Sequence, residues 1–329
     1  MRCPMSDDDG DGGPVSIAFV FPGQGSQSVG MGHLLAESSA AAAGIFASAD
    51  EALGDPISRL AFEGPADRLD QTENSQPALL ATSMAFLAAL DEVPAETALQ
   101  EPVFMAGHSM GQYSAMVAAG VLELFDAVRL VRVRGRLMQA SAEDGAMAAI
   151  IGLDEARIPE LEATGAEFGI LTIANRNAPG QVVISGERAA VQAAADIAKD
   201  LGAKRTIMLP VSVAAHSPLM EQAADGMRAA LATITFQDPT TPLLANADAR
   251  LLQSGEACRA ELVEHLTRGV DWVRAVETMV QGGVDTFIEV GPGKVLTNLI
   301  KRIAPDATAV AVDDPAAPGG LRTLLATQE

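Results

Sequence analysis

The pentapeptide Gly107-His108-Ser109-Met110-Gly111 has the G-x-S-x-G form that places a serine on a strand-to-helix turn. Val103-Phe104-Met105-Ala106 before it reads as a buried strand, and Gln112 to Ala119 after it continues at helical spacing. A serine on such a turn lifts its hydroxyl clear of the sheet. The N–H groups that follow it, at the positive end of a helix, aim at the same spot. That arrangement suits a covalent acyl-serine, so Ser109 is the candidate nucleophile.

A serine needs a base, and the chain has four histidines: His33, His108, His216 and His265. His108 adjoins the serine and would point elsewhere on a tight turn, and His33 lies in a helical stretch near the N-terminus. His216 is the better candidate. It follows Pro210 to Val213, which reads as a strand, and precedes Ser217-Pro218, a helix-start signature.

A third clue is an arginine in an awkward place. With Ala127 to Met138 projected as a helix, Arg129, Arg132 and Arg136 fall on one side and Leu130, Val131, Val133, Leu137 and Met138 on the other. Arg134 lies in the middle of the apolar side. A guanidinium buried there is costly unless an anion meets it, and its planar fork suits a carboxylate. An internal ion pair with Asp or Glu explains the position equally well at this point.

Two glycine-containing loops are not nucleotide sites. In Phe21-Pro22-Gly23-Gln24-Gly25-Ser26-Gln27 the third glycine of a dinucleotide fingerprint falls on Ser28. Gly291-Pro292-Gly293-Lys294-Val295 lacks the upstream glycine and the following Ser or Thr of a phosphate-binding loop. Asp7, Asp9, Asp11 and Gly12 match the opening of a calcium loop, but its twelfth position falls on Ala18 inside the first strand, so no calcium site is expected.

The elements that must position these residues follow two rhythms. From Val15 to about Gln139, and again towards the C-terminus, apolar runs alternate with longer helical patterns, which predicts α/β architecture with a parallel sheet. Between them, Ala146–Leu153, Asp154–Ala163, Gly169–Asn175, Gln181–Ser185, Glu187–Leu201 and Arg205–Leu209 read as βαββαβ, the ferredoxin-like order. The expectation is a large domain of residues 15–141 and 212–329, an inserted ferredoxin-like small domain of residues 142–211, and a disordered tail over residues 1–14. A loop is expected at Ala316-Ala317-Pro318-Gly319-Gly320.

Composition restricts the function further. The chain has 329 residues, 48% hydrophobic and 20% charged, enough to bury a large core. Its net charge of −21 argues against nucleic acid, since phosphates would be repelled over most of the surface. An anionic partner must find a local basic patch: Arg129, Arg132 and Arg136; Lys204 and Arg205; or Lys294, Lys301 and Arg302. The two cysteines, Cys3 and Cys258, give neither a disulfide framework nor a metal cluster. No apolar stretch reaches the roughly 18 residues of a membrane span. Val15 to Phe21 is preceded by aspartates, which fails as a signal peptide. A cytoplasmic enzyme without a membrane segment is expected.

Phe19-Val20-Phe21-Pro22-Gly23-Gln24-Gly25-Ser26-Gln27, Gly107-His108-Ser109-Met110-Gly111, Arg134-Gly135, Asn177-Ala178-Pro179-Gly180-Gln181, the segment ending at His216, and Glu289-Val290-Gly291-Pro292-Gly293-Lys294 together resemble the malonyl-CoA:acyl carrier protein transacylases. The resemblance runs in family order over nearly the whole chain beyond its first residues. It implies a hydrolase-like α/β domain with a ferredoxin-like insert, and a monomer that uses no metal or other cofactor. It implies Ser109 as nucleophile, His216 as its base, Arg134 as partner of the malonyl carboxylate, and the N–H groups of Gln24 and Met110 as the oxyanion hole. The implied substrate is malonyl-CoA, the acceptor is the phosphopantetheine thiol of acyl carrier protein, and the product supplies fatty acid synthesis. A polyketide pathway, a methylmalonyl substrate admitted by small Ala215, and a serine thioesterase or esterase are the alternatives.

Two positions depart from the family pattern. Gln112 stands where many relatives have Glu, and His265 stands where the family has a glutamine near the substrate site. His265 preserves an orienting contact to His216 if that contact runs through its backbone carbonyl. A solvent-exposed imidazole is the other reading.

Overall fold

The computed structural model describes residues 15–92, 101–141, 144–211 and 213–312. Its strands in chain order are β1 (Ile17–Phe21), β2 (Phe104–Gly107), β3 (Gly145–Ile151), β4 (Leu171–Ala178), β5 (Gln181–Glu187), β6 (Arg205–Met208), β7 (Leu243–Leu244), β8 (Leu251–Leu252), β9 (Val270–Asp271), β10 (Thr286–Val290) and β11 (Thr308–Val312). The expected tail, Cys3, the loop at residues 316–320 and the boundary residues 142 and 212 lie outside the described residues.

One sheet has the order β11-β10-β1-β2-β7-β8, parallel from β11 to β7 and closed by the antiparallel β7–β8 pair. Every residue of β1 is buried, because its two faces pack into different cores. Ile17, Phe19 and Phe21 join a core with Leu79, Leu80, Phe86, Val128 and Val131 from the helices Thr72–Asp91 and Leu124–Ala140. Ala18 and Val20 join another with Trp272, Val276, Leu299 and Ile300. Strands covered on both faces read as continuous apolar runs, which is why β1 was legible without alternation. Each large side chain so buried contributes about 1.5–3 kcal/mol against exposure.

The second sheet has the order β6-β3-β5-β4-β9, antiparallel from β6 through to β4. Together with the helices Ile158–Ala166 and Arg188–Ile197, these four strands follow the βαββαβ order. Ala146, Ala148 and Ile150 of β3 face those helices, while Met147 packs into the core beneath the large sheet. β9, which lies beyond the insert in sequence, extends this sheet parallel to β4.

Three local expectations change. Val103 is exposed and precedes β2, whose buried part begins at Met105. Residues 210, 211 and 213 are not a strand, since the ladder of β6 with β3 ends at Met208 and the chain bends away there. Arg132 is not on a solvated basic face: it is 7% exposed and bonded to Asn74 and Asp55.

Candidate active site

The elbow at the end of β2 is as tight as its glycines require. Ser109 has φ 52°, in the left-handed region that costs a side-chain-bearing residue about 1–3 kcal/mol. A Cβ on Gly107 would stand 2.0 Å from the Gly111 carbonyl carbon, and one on Gly111 would stand 2.1 Å from Phe21 O. Only glycine lets β1, the elbow and the following helix Gly111–Ala118 meet this closely.

His216 arrives from the far side of the insert with φ 61°, another left-handed residue. Its Nε2 lies 2.8 Å from Ser109 Oγ, and its Nδ1 lies 2.6 Å from His265 O and 3.2 Å from Arg268 O. Two carbonyls can only accept, so Nδ1 carries the proton and Nε2 offers its lone pair to the serine hydroxyl. Burial first, and then the neighbouring Arg134 charge, push the His216 pKa down to about 3. The imidazole is therefore neutral at pH 7, with its Nε2 lone pair facing the serine hydroxyl.

His265 contacts His216 through its backbone carbonyl, and its side chain is not exposed. It is fully buried, with its ring 6.2 Å from that of His216 and 6.1 Å from that of Tyr113. Burial, Arg134 and His216 all hold its pKa well below the ordinary value, so it adds no charge beside the base. Of the remaining histidines, His108 turns away from the serine and bonds Asn177 at 2.9 Å, and His33 lies beside Glu37 and Phe62.

Arg134 is 1% exposed and reaches the same point. Nη2 donates to Ser109 Oγ at 3.1 Å and Nη1 donates to Gln76 Oε1 at 2.9 Å. Tyr113 presents its ring 5.9 Å from the guanidinium, and burial keeps that phenol neutral, with its pKa pushed up to about 12. Among the described residues no carboxylate pairs with Arg134, and its Nε has no partner. Among the described residues the internal ion pair is therefore absent, and a buried cation faces the serine hydroxyl without a counter-charge from them.

Gln24 lies in the turn after β1, and Met110 directly follows Ser109. Met110 begins the helix after the elbow, and a Cβ on Gly23 would stand 2.5 Å from His108 O, so the Gln24 loop touches the elbow. Neither amide donates to a protein acceptor among the described residues. Backbone amides without protein partners are where a developing oxyanion can be received.

A family model described as "Acyl transferase domain" matches residues 18–314. The chain is 47% identical over 305 residues to the malonyl CoA-acyl carrier protein transacylase of Escherichia coli K12, covering 92% of this chain and 97% of that protein. The chain belongs to the malonyl CoA-acyl carrier protein transacylase family. The enzyme of that name from Bacillus subtilis is 43% identical, over 91% of this chain and 94% of its own length. An acyl-carrier-protein S-malonyltransferase structure from Bartonella henselae superposes with a TM-score of 0.91 at 43% identity, covering 95% of this chain and all of that one. A malonyl-transacylase structure in complex with a type II PKS acyl-carrier protein gives a TM-score of 0.90 at 42% identity, covering 94% and 99% of the two chains.

In this transacylase several polar residues around the serine carried no motif of their own. Asn246, which accepts the Ser109 N–H at 2.8 Å, follows the apolar Leu243, Leu244 and Ala245, whereas Gln76, which holds Arg134, follows the polar Gln71, Thr72, Glu73, Asn74 and Ser75. For Asn246 a polar residue after an apolar run was the available signal, akin to the one that exposed Arg134, and Gln76 among its polar neighbours gave none. The remaining motifs serve the scaffold: Asn177 restrains His108, and Glu289 accepts the Leu296 and Thr297 amides, capping the helix Val295–Ile303. Among the described residues no helix is long and apolar enough to cross a membrane.

Proposed function

We propose that this enzyme transfers the malonyl group of malonyl-CoA to the phosphopantetheine thiol of acyl carrier protein through a malonyl ester on Ser109. The observation that carries this reading is the buried Arg134, which has no carboxylate partner among the described residues and donates to Ser109 Oγ at 3.1 Å. A general esterase has no use for an uncompensated cation at its nucleophile, whereas a dicarboxylate monothioester brings the missing anion with it.

The reaction is ping-pong. His216 Nε2 takes the Ser109 proton as the hydroxyl oxygen attacks the thioester carbonyl. The negative oxygen is received by the amides of Gln24 and Met110. The carbon–sulfur bond breaks, coenzyme A leaves with the proton from His216, and a malonyl ester remains on Ser109. The carrier protein's thiol then gives its proton to His216 and attacks the ester, and Ser109 leaves as the restored hydroxyl. General-base help of this kind contributes about 10²- to 10⁴-fold. No step calls for a metal or a redox cofactor.

Ser109, His216 and Arg134 all come from one chain, which supports a monomer as the working unit. The boundaries 15–141 plus 212–329 and 142–211 are our division between the two sheets. Coenzyme A thioesters and carrier proteins meet in the cytoplasm, and extender units for fatty acid synthesis are the product we assign. The relative bound to a type II PKS carrier protein supports a polyketide role as the second reading. Incubation with malonyl-CoA followed by intact mass measurement tests the assignment. The protein should gain one malonyl group, and Ser109→Ala should gain none. Retention of the adduct by that variant overturns the assignment.

A further inference from the structure

A residue in the left-handed region between a strand and a helix has an amide that neither ladder can use. At the elbow that amide belongs to Ser109, and Asn246 Oδ1 accepts it at 2.8 Å. The same side chain donates through Nδ2 to Gly107 O at 3.0 Å and to Gln112 Oε1 at 3.1 Å. Asn246, only 4% exposed, thus grips the elbow before, at and after the nucleophile. Because Ser109 N–H is occupied, the next amide, that of Met110, is left for the reacting oxygen.

The backbone of Asn246 is held in turn. Its N–H donates to Glu261 Oε1 at 2.7 Å, and its C=O accepts the Asp271 N–H at 2.7 Å. Glu261 is completely buried on the helix Gly255–Thr267. The carbonyls of His265 in the last turn of that helix and of Arg268 just beyond it are the ones that hold His216 Nδ1. Glu261 therefore links the support of the nucleophile to the support of the base. Arg250 Nη2 approaches its other oxygen at 3.4 Å, with Asp248 and Glu264 around that arginine.

We propose that Asn246, anchored by Glu261, is a positioning residue that holds the Ser109 backbone in its left-handed conformation and couples it to the helix that orients His216. It touches neither the acyl group nor the reacting atoms, and it acts through the Ser109 amide. The proposal rests on the acyl-transfer reading above. What it requires of residue 261 is an acceptor at Oε1 and not a charge. Burial pushes the Glu261 carboxyl up to about 7, and one oxygen accepts the Asn246 N–H in either protonation state.

Single-turnover malonylation of Ser109 by saturating malonyl-CoA, quenched and weighed, separates a rate constant from the fraction of enzyme that reacts. The parent enzyme's adduct is the control: its absence overturns the acyl-transfer reading, and its presence lets the variants decide the positioning role. Asn246→Ala should lower the rate constant about 100-fold, the effect of a misplaced nucleophile, at full final occupancy and with KM for malonyl-CoA within about threefold. Glu261→Leu should lower it about 10-fold, and Glu261→Gln, which keeps the acceptor, should restore it to within about threefold of the parent. The Glu261 pair decides the matter alone if Asn246→Ala does not fold. Rate constants of Asn246→Ala and Glu261→Leu within threefold of the parent overturn the proposal. So does a loss confined to KM, or one confined to the reacting fraction, which marks a purely structural role.

Discussion

Arg132 and Arg134 stand two residues apart on one helix, and both are buried, yet their surroundings differ in kind. Arg132 donates to Asp55 and Asn74 and has Glu73 at 4.0 Å, so its charge is balanced by the helices beside it. Arg134 has an amide oxygen, a hydroxyl and an aromatic ring, all uncharged. Desolvation lowers the pKa of both, but only Arg132 has carboxylates to offset it. A balanced buried cation ties elements together. An unbalanced one awaits an anion, and its place against Ser109 fixes which part of the substrate that anion must be.

Exchanging the roles of the two arginines is the strongest way to break this contrast. Arg134→Ala should reduce malonyl transfer by about 10²- to 10³-fold, the loss of two charge-assisted hydrogen bonds, measured as kcat/KM with malonyl-CoA. Arg132→Met should leave the malonyl-to-acetyl preference unchanged and cost about 1–2 kcal/mol of stability in a denaturant melt, since its carboxylates remain partly exposed. Equal effects of the two substitutions on acyl preference contradict the distinction.

A subtler effect concerns pH. In the free enzyme the Arg134 charge adds to burial in holding the His216 pKa down, to about 3. Bound malonyl carboxylate cancels that charge and raises the His216 pKa, so the acidic limb of kcat should lie at higher pH than the acidic limb of kcat/KM for malonyl-CoA. Coincident limbs would mean that the bound carboxylate does not neutralise Arg134. Linkage runs in a definite direction too. His216 is neutral in the folded chain below an unfolded pKa of about 6.5, so the unfolded state binds the extra proton. Its contribution to stability is present above that value and declines as pH falls towards about 3. A melt series between pH 7 and 5 should show His216→Gln losing less stability on acidification than the parent.

The same two arginines show what the sequence discloses and what it does not. Helical projection isolates Arg134 because its apolar neighbours are on its own helix, within one stretch of sequence. It misplaces Arg132, whose partners Asp55, Glu73 and Asn74 come from other segments that no single-helix pattern contains. The Ser109 elbow and the βαββαβ order of elements were legible because glycine spacing and apolar runs are local. Residues 210, 211 and 213 were not, since the end of β6 is set by its partner β3 and not by the β-branched residues that follow. His265 and Asn246 are legible only in part. The carbonyl that orients His216 has no side-chain identity, and Asn246 follows a strand of only two residues.

Competition between equimolar malonyl-CoA and acetyl-CoA, read as the mass of the acyl-enzyme formed, tests the role of Arg134 most directly. The parent should carry malonyl almost exclusively, and Arg134→Ala should form its residual adduct with acetyl in relative excess. An unchanged malonyl-to-acetyl ratio in that variant would contradict the assignment of Arg134 as the partner of the substrate carboxylate.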